Sequence, residues 1–368
     1  MLLLAWRNLT QSRTQLFLGI GGVTLAILLM LALDALLTGS EEDLVAYIER
    51  SGADIFVSQD GVRNMHMAAS AITWRDKTLA EHAPGVVDGS AILFTTTTLE
   101  AGDANILSYI IGYDPDELLG GPPAVIAGTT RLKEDEAIID EAVARSQDLG
   151  LGDNVEVFGE EFIVAGITRG LTNIVNSVTF IRLQDFQEMR QDDVISYALL
   201  ATEPGADVES VAAAIMARND DVTALPRAEF SREERQIIRD MSVEVLNIMS
   251  FSGLLIGLAV TALTLYTNTL RKRPEYGVLK AIGARNTHLF TVILVQAVIS
   301  VMLGLAVALC LVWFMGRLLP LAVPSLAMTL TWGSVTRVLL LSGLVGAVST
   351  LIPAWEMARL DPAQVFRG

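Results

Sequence analysis

Leu16-Phe-Leu-Gly-Ile-Gly-Gly-Val-Thr-Leu-Ala-Ile-Leu-Leu-Met-Leu-Ala-Leu-Asp34-Ala-Leu-Leu37 runs directly into Thr38-Gly39-Ser40-Glu41-Glu42-Asp43. That boundary decides the fold. As a helix, the first part is long enough to cross about 30 Å of hydrocarbon, which takes roughly 20 apolar residues. The second part opens a polar, acidic run. Three further stretches meet the same length requirement: Val245–Tyr266, Leu289–Met315 and Val335–Trp355. One span therefore precedes the run Thr38–Ser242 and three follow it. Leu16–Leu37 exceeds the 7–15 apolar residues of a signal sequence, and no convincing small-x-small cleavage site follows it because Thr38-Gly39-Ser40 leads directly into Glu41-Glu42-Asp43, so it reads as a retained anchor.

Charge separates the same two regions. Thr38–Ser242 holds 37 of the 42 Asp and Glu residues but only 15 of the 26 Lys and Arg residues, a formal −22. The rest of the chain is basic, at +6 within a total of −16. Short loops rich in Lys and Arg stay on the cytoplasmic side of a membrane. Arg7 and Arg13, then Arg271, Lys272, Arg273, Lys280 and Arg285, then Arg359 and Arg367 all mark one side. The expected topology has both termini cytoplasmic and the acidic domain outside. Arg317 and Arg337 are exceptions to that rule, and Asp34 is the one acidic residue inside a predicted span.

Met1–Thr14 reads as an amphipathic lead-in, either lying in the interface or extending the first span. The external run reads as mixed α/β. Strands are expected at Ala53–Ser58, Ala91–Leu99, Asn105–Gly112, Glu161–Ile167, Ser177–Ile181 and Ile195–Ala201, with another before the tight turn at Phe158-Gly159. Helices are expected at Ala137–Leu149, Leu183–Met189 and Asp207–Ala217. The charged patterns Glu41–Arg50 and Glu229–Asp240 should continue the first and second spans as a helical stalk. The fold class is thus a four-span α-helical membrane protein with a mixed α/β domain inserted between the first and second spans. Its divisions are 1–37, 38–242 and 243–368.

Several functions lose support at this level. The chain has no G-x-x-x-x-G-K-[ST] phosphate loop. A secondary transporter would bury ionisable groups near mid-membrane, whereas Asp34 lies about 26 Å along its helix from Phe17. No Ser–His–Asp order supports a hydrolase. Met65-His66-Met67 has soft and imidazole ligands for copper, but no second cluster accompanies it. The single cysteine, Cys310, lies in the third span and excludes an intramolecular disulfide.

The loop Arg271-Lys-Arg-Pro-Glu-Tyr-Gly-Val-Leu-Lys-Ala-Ile-Gly-Ala-Arg285 carries the functional signal. Pro274 suits a helix's first turn, Glu275 complements its positive end, and Gly283 can adopt the left-handed conformation that stops it. Val278, Leu279 and Ile282 supply an apolar face. A helix over 274–283 is too short to be stable alone in water; it needs a partner surface or the membrane interface. A plain basic connector is the competing reading.

Arg273-Pro-Glu275-Tyr-Gly277-Val-Leu279-Lys-Ala281-Ile-Gly283-Ala resembles the R-x-E-x-G-x-L-x-A-x-G-A/S coupling-helix signature of FtsX/MacB-type ABC transporter permeases. Trp6-Arg7-Asn8-Leu9 with Arg13 is similar to that family's entry sequence. Ala137-Ile-Ile-Asp-Glu…Leu149-Gly150-Leu-Gly152-Asp153…Phe162-Ile-Val-Ala-Gly166 resembles its extracytoplasmic core. Pro353-Ala-Trp-Glu-Met-Ala358-Arg359-Leu-Asp361-Pro362…Phe366-Arg367 resembles its ending. Tyr276 and Phe366 depart from the commoner aliphatics.

The resemblance implies a non-enzymatic permease in the plasma (inner) membrane that couples ATP hydrolysis elsewhere to movement of its external domain. Glu275, Tyr276, Gly277, Leu279, Lys280, Ile282 and Gly283 are the implied ATPase-coupling residues. The implied partners are two copies of a cytoplasmic ABC ATPase, which bind the ATP and Mg, and a second permease chain forming a homodimer or a heterodimer with a paralogue. A membrane-fusion adaptor is a further candidate partner, together with membrane lipids; no nucleic acid is expected. Export or extraction of a lipid, lipoprotein, peptide or drug is the favoured outcome, and actuation of cell-wall hydrolases or signalling is the alternative.

Overall fold

The computed structural model describes residues 13–102, 104–172, 176–282, 284–322 and 328–359. The amphipathic reading of Met1–Thr14 falls outside them up to residue 12, as do Gly283 and the ending from Leu360 onward. In chain order the helices are α1 (Arg13–Leu44), α2 (Ala46–Arg50), α3 (Trp74–Glu81), α4 (Glu141–Ser146), α5 (Leu183–Arg190) and α6 (Val208–Met216). These are followed by α7 (Arg227–Arg271), α8 (Arg273–Ala281), α9 (Asn286–Ala322), α10 (Trp332–Ser349) and α11 (Leu351–Ala358). Two compact units emerge, one containing the apolar helices and the other running over Ser40–Met241.

The α/β unit is built on ten strands: β1 (Ile55–Gln59), β2 (Val86–Ala101), β3 (Ala104–Tyr113), β4 (Val125–Gly128), β5 (Glu136–Asp140), β6 (Asn154–Val157), β7 (Glu160–Thr168), β8 (Ser177–Arg182), β9 (Tyr197–Thr202) and β10 (Val222–Pro226). Their order is β10-β1-β9-β2-β3-β8-β5-β7-β4, with β6 paired to β2 and β7. The sheet is mixed: β3–β8 and β5–β7 are parallel. Successive strand residues point to opposite faces, and here both faces are buried. Ile55 and Val57 belong to one core, with Phe186 of α5 and Ile215 of α6. Phe56 belongs to the other, with Ile48 of α2 and Phe230 of α7. The β6–β7 turn has Phe158 at φ 57° and Gly159 at φ 84°, the paired positive φ values of a type I′ hairpin. Phe158 packs on Phe186 at 5.6 Å.

The expected helix over Ala137–Leu149 is corrected. Its first residues form β5, and only Glu141–Ser146 is helical. Ile138 enters one core and Ile139 the other, which requires alternation across a sheet rather than one helical face. Asp140 then caps α4 by accepting the Ala142 N–H at 2.9 Å. Helix α3 and strands β4 and β10 are additional to the elements read from sequence.

Four stretches among the described residues are long and apolar enough to cross a membrane: Ile20–Leu44, Phe251–Arg271, Asn286–Leu319 and Trp332–Met357. Glycines set their closest approaches. A Cβ on Gly22 would lie 2.1 Å from Val260 Cγ1, and one on Gly304 would lie 2.8 Å from Val23 Cγ1. The last stretch is interrupted at Thr350, between α10 and α11. Pro353 has no N–H to continue the ladder there, and the Thr350 hydroxyl donates to Ala347 O at 2.6 Å. Asp34 and Arg337, both anomalous in sequence, pair with each other at 3.0 Å.

Candidate functional site: the short helix between two spans

Helix α8 covers Arg273–Ala281, with Pro274 in its first turn, Glu275 near its N-terminus and Lys280 in its last turn. These placements suit the helix dipole. Beyond its end the Ala284 N–H donates to Leu279 O at 2.9 Å, satisfying one of the helix's last carbonyls. The expected 274–283 interval thus contains a helix displaced by a residue or two.

The helix has two unlike faces. Tyr276 is 2% exposed and packs with Leu289 and Ile293 of α9 and Met357 of α11. Leu279 sits partly buried against the same cluster, and Gly277 is also buried. In contrast, Val278 is 45% and Ile282 78% exposed. Glu275 is 60% exposed at its side chain and lies 3.9 Å from Lys272. Positions 275, 278 and 282 share one helical face. The apolar face expected from Val278, Leu279 and Ile282 is therefore divided: Leu279 helps hold α8 in place while the other two face outward. Lys280 is intermediate in exposure. Burial pulls the Lys272 ammonium below the usual lysine range, and the Glu275 charge opposes that shift.

Tyr276 is the residue whose part was hidden in sequence. An aromatic replacing the commoner aliphatic was a signal, but its partners come from helices separated along the chain.

A second constellation ties the loop after β1 to the start of α7. Glu234 is fully buried; its Oε2 accepts the Met65 N–H at 2.6 Å and its Oε1 lies 2.6 Å from His66 Nδ1. Arg63 reaches Glu229 at 2.6 Å and Glu233 at 2.8 Å. Phe230 stacks on Phe56 with ring centroids 4.7 Å apart. Met65 is buried whereas Met67 is 66% exposed, so the Met-His-Met sequence does not converge on one point. His66 instead uses Nδ1 to fasten a helix. Among the described residues, no group of three or more His, Cys, Asp or Glu side chains is arranged to hold a metal. Nothing in the run Arg232-Glu-Glu-Arg235 distinguished Glu234 from its solvated neighbours.

Comparison with known proteins gives concordant results. A family model described as the MacB-like periplasmic core domain matches residues 16–218, and one described as the FtsX-like permease C-terminal region matches 247–362. An uncharacterized ABC transporter permease of Methanocaldococcus jannaschii is 23% identical, covering 99% of this chain and 96% of the relative. A Staphylococcus haemolyticus chain carrying the name hemin transport system permease protein HrtB is 20% identical, covering 99% of each. The extracellular domain of the transporter YknZ from Gram-positive bacteria is 14% identical with a TM-score of 0.38, covering 47% of this chain and 99% of that domain.

Proposed function

Since the chain belongs to the FtsX-like, MacB-like family of ABC transporter permeases, we propose that it couples ATP hydrolysis by a separate subunit to movement of its α/β domain. It is a multi-pass membrane protein, and its family implies a partner ATPase. In the proposed arrangement both termini and α8 are cytoplasmic, the α/β domain is outside the plasma membrane, and two permease chains meet two ATPases. The work done outside is export or extraction of an amphipathic substrate. Relatives named for hemin transport and macrolide export support that class.

The observation that carries this reading is the divided surface of α8. Tyr276 is buried among three membrane-helix side chains, while Glu275, Val278 and Ile282 remain outside on one face. Two exposed aliphatic side chains beside a carboxylate leave an apolar face open to a partner. Such a face fits an apolar groove with a basic rim on the ATPase. Because the chain lacks a phosphate loop, it should hydrolyse no ATP alone. Glu275→Lys should weaken ATPase co-purification in a salt-dependent way without altering the gel-filtration profile. Wild-type recruitment and stimulation by that folded variant would remove the support for α8 as the coupling element.

A further inference from the structure

An open groove of about 1000 Å³ runs along the helical unit where the start of α9 passes α11. Asn286, Thr287 and Phe290 form one wall, and Leu351, Ile352 and Trp355 form the other. Phe290 is 38% and Trp355 60% exposed. Both walls belong to stretches long and apolar enough to cross a membrane, so hydrocarbon is the phase expected against their apolar parts. Asn286 and Thr287 stand at the terminus of such a stretch, as does Trp355, a residue type that favours headgroup level. The Arg359 guanidinium carbon lies 3.8 Å from the Trp355 ring centroid, and the exposed Arg285 immediately precedes Asn286.

We infer that this groove binds one anionic glycerophospholipid, with acyl chain against Phe290, Ile352 and Trp355 and phosphate facing Arg285 and Arg359. Charge complementarity selects the ligand. A zwitterionic lipid offers the same hydrocarbon but adds a cation beside two arginines. A second groove, of about 540 Å³, shares Ile352 and Trp355 but is otherwise lined by Leu263, Tyr266 and Glu356 rather than by α9. Its carboxylate disfavours an anionic headgroup, so the preference belongs to the α9 side. The inference is independent of which leaflet bathes this end and goes beyond the ATPase-coupling proposal.

Trp355 supplies the reporter. The full chain, reconstituted in phosphatidylcholine vesicles, is titrated with brominated phosphatidylglycerol or brominated phosphatidylcholine. Fluorescence quenching of the wild type is compared with that of Trp355→Phe, isolating this residue from the other four tryptophans. Quenching of Trp355 should half-saturate at about fivefold lower mole fraction of the anionic lipid for each arginine engaged. Arg285→Gln and Arg359→Gln should each reduce that preference, and together abolish it, without changing quenching by the zwitterionic lipid. Equal quenching by both lipids would make this an ordinary lipid contact and overturn the proposal. So would quenching by neither, which would mean that protein covers the groove. An anionic preference that survives the double substitution would also overturn it.

Discussion

The first turns of α7 and the short helix α8 are both rich in charge, yet they are held in opposite ways. In α7, Phe230 and Glu234 are fully buried, one stacked on Phe56 and the other joined to Met65 and His66. In α8, Tyr276 is the deeply buried large side chain, and Val278 and Ile282 face outward. Burying a carboxylate requires compensating donors or cations, and the α7 site supplies both an N–H and an imidazole. The contrast separates a helix fastened within its own domain from one with apolar surface left over. In the proposed mechanism, the first carries displacement and the second receives it.

The sharpest way to break this comparison is Phe230→Ala, which should cost about 4 kcal/mol, as large aromatic truncations in packed cores do. Thermal unfolding of the detergent-solubilised chain measures it; a loss no greater than that of an exposed substitution would mean α7 is not anchored there. Glu234→Ala strands His66 and the Met65 N–H and should cost about 3 kcal/mol. A double-mutant cycle with His66→Phe should then recover much of that loss. Additive single effects would show that the pair is not coupled.

Tyr276→Ala should cost about 2 kcal/mol, and locally, since it removes one buried side chain from a short helix. Faster tryptic cleavage at Arg271–Arg273 with an unchanged global unfolding transition would report that opening. Unchanged cleavage would mean α8 has another anchor. The smallest stability effect belongs to Ile282→Asp, within about 0.5 kcal/mol because the residue is exposed. The same substitution should nevertheless abolish ATPase co-purification. If recruitment persists, the outward face of α8 is not the contact.

Much of this was legible in the sequence because spans and two-residue alternation are local signals. The four apolar stretches and the long strands around Leu93 and Ile110 needed no tertiary information. Ala137-Ile-Ile-Asp misled because an apolar run followed by Glu141-Ala-Val-Ala suits a helix until β7 and β8 claim its first half. Helix α3 has little apolar periodicity; its visible signal was Thr73 with Asp76, which form a capping box. At α8 the existence of a helix was readable from Pro274 and Glu275. Its inward face was not, because Leu289, Ile293 and Met357 join Tyr276 only in three dimensions. Asp34 and Arg337 each contradicted a rule when read separately, and their pairing across 303 positions was invisible to any window.

The glycine contacts among the spans have a mechanical meaning of their own. Val260 fits against Gly22 and Val23 against Gly304, each where a methyl group added to the glycine would collide. Valine's branched side chain is stiff, so these contacts work as teeth seated in sockets. Turning the first helix about its axis would drag Val23 out of its socket and push Gly22 off its tooth. Both neighbours would have to turn with it or climb away. In the proposed mechanism the bundle is therefore geared rather than sliding, and the single added methyl of Gly22→Ala, which would meet Val260 Cγ1 at 2.1 Å, should lower ATPase-coupled transport while ATPase co-purification stays at the wild-type level.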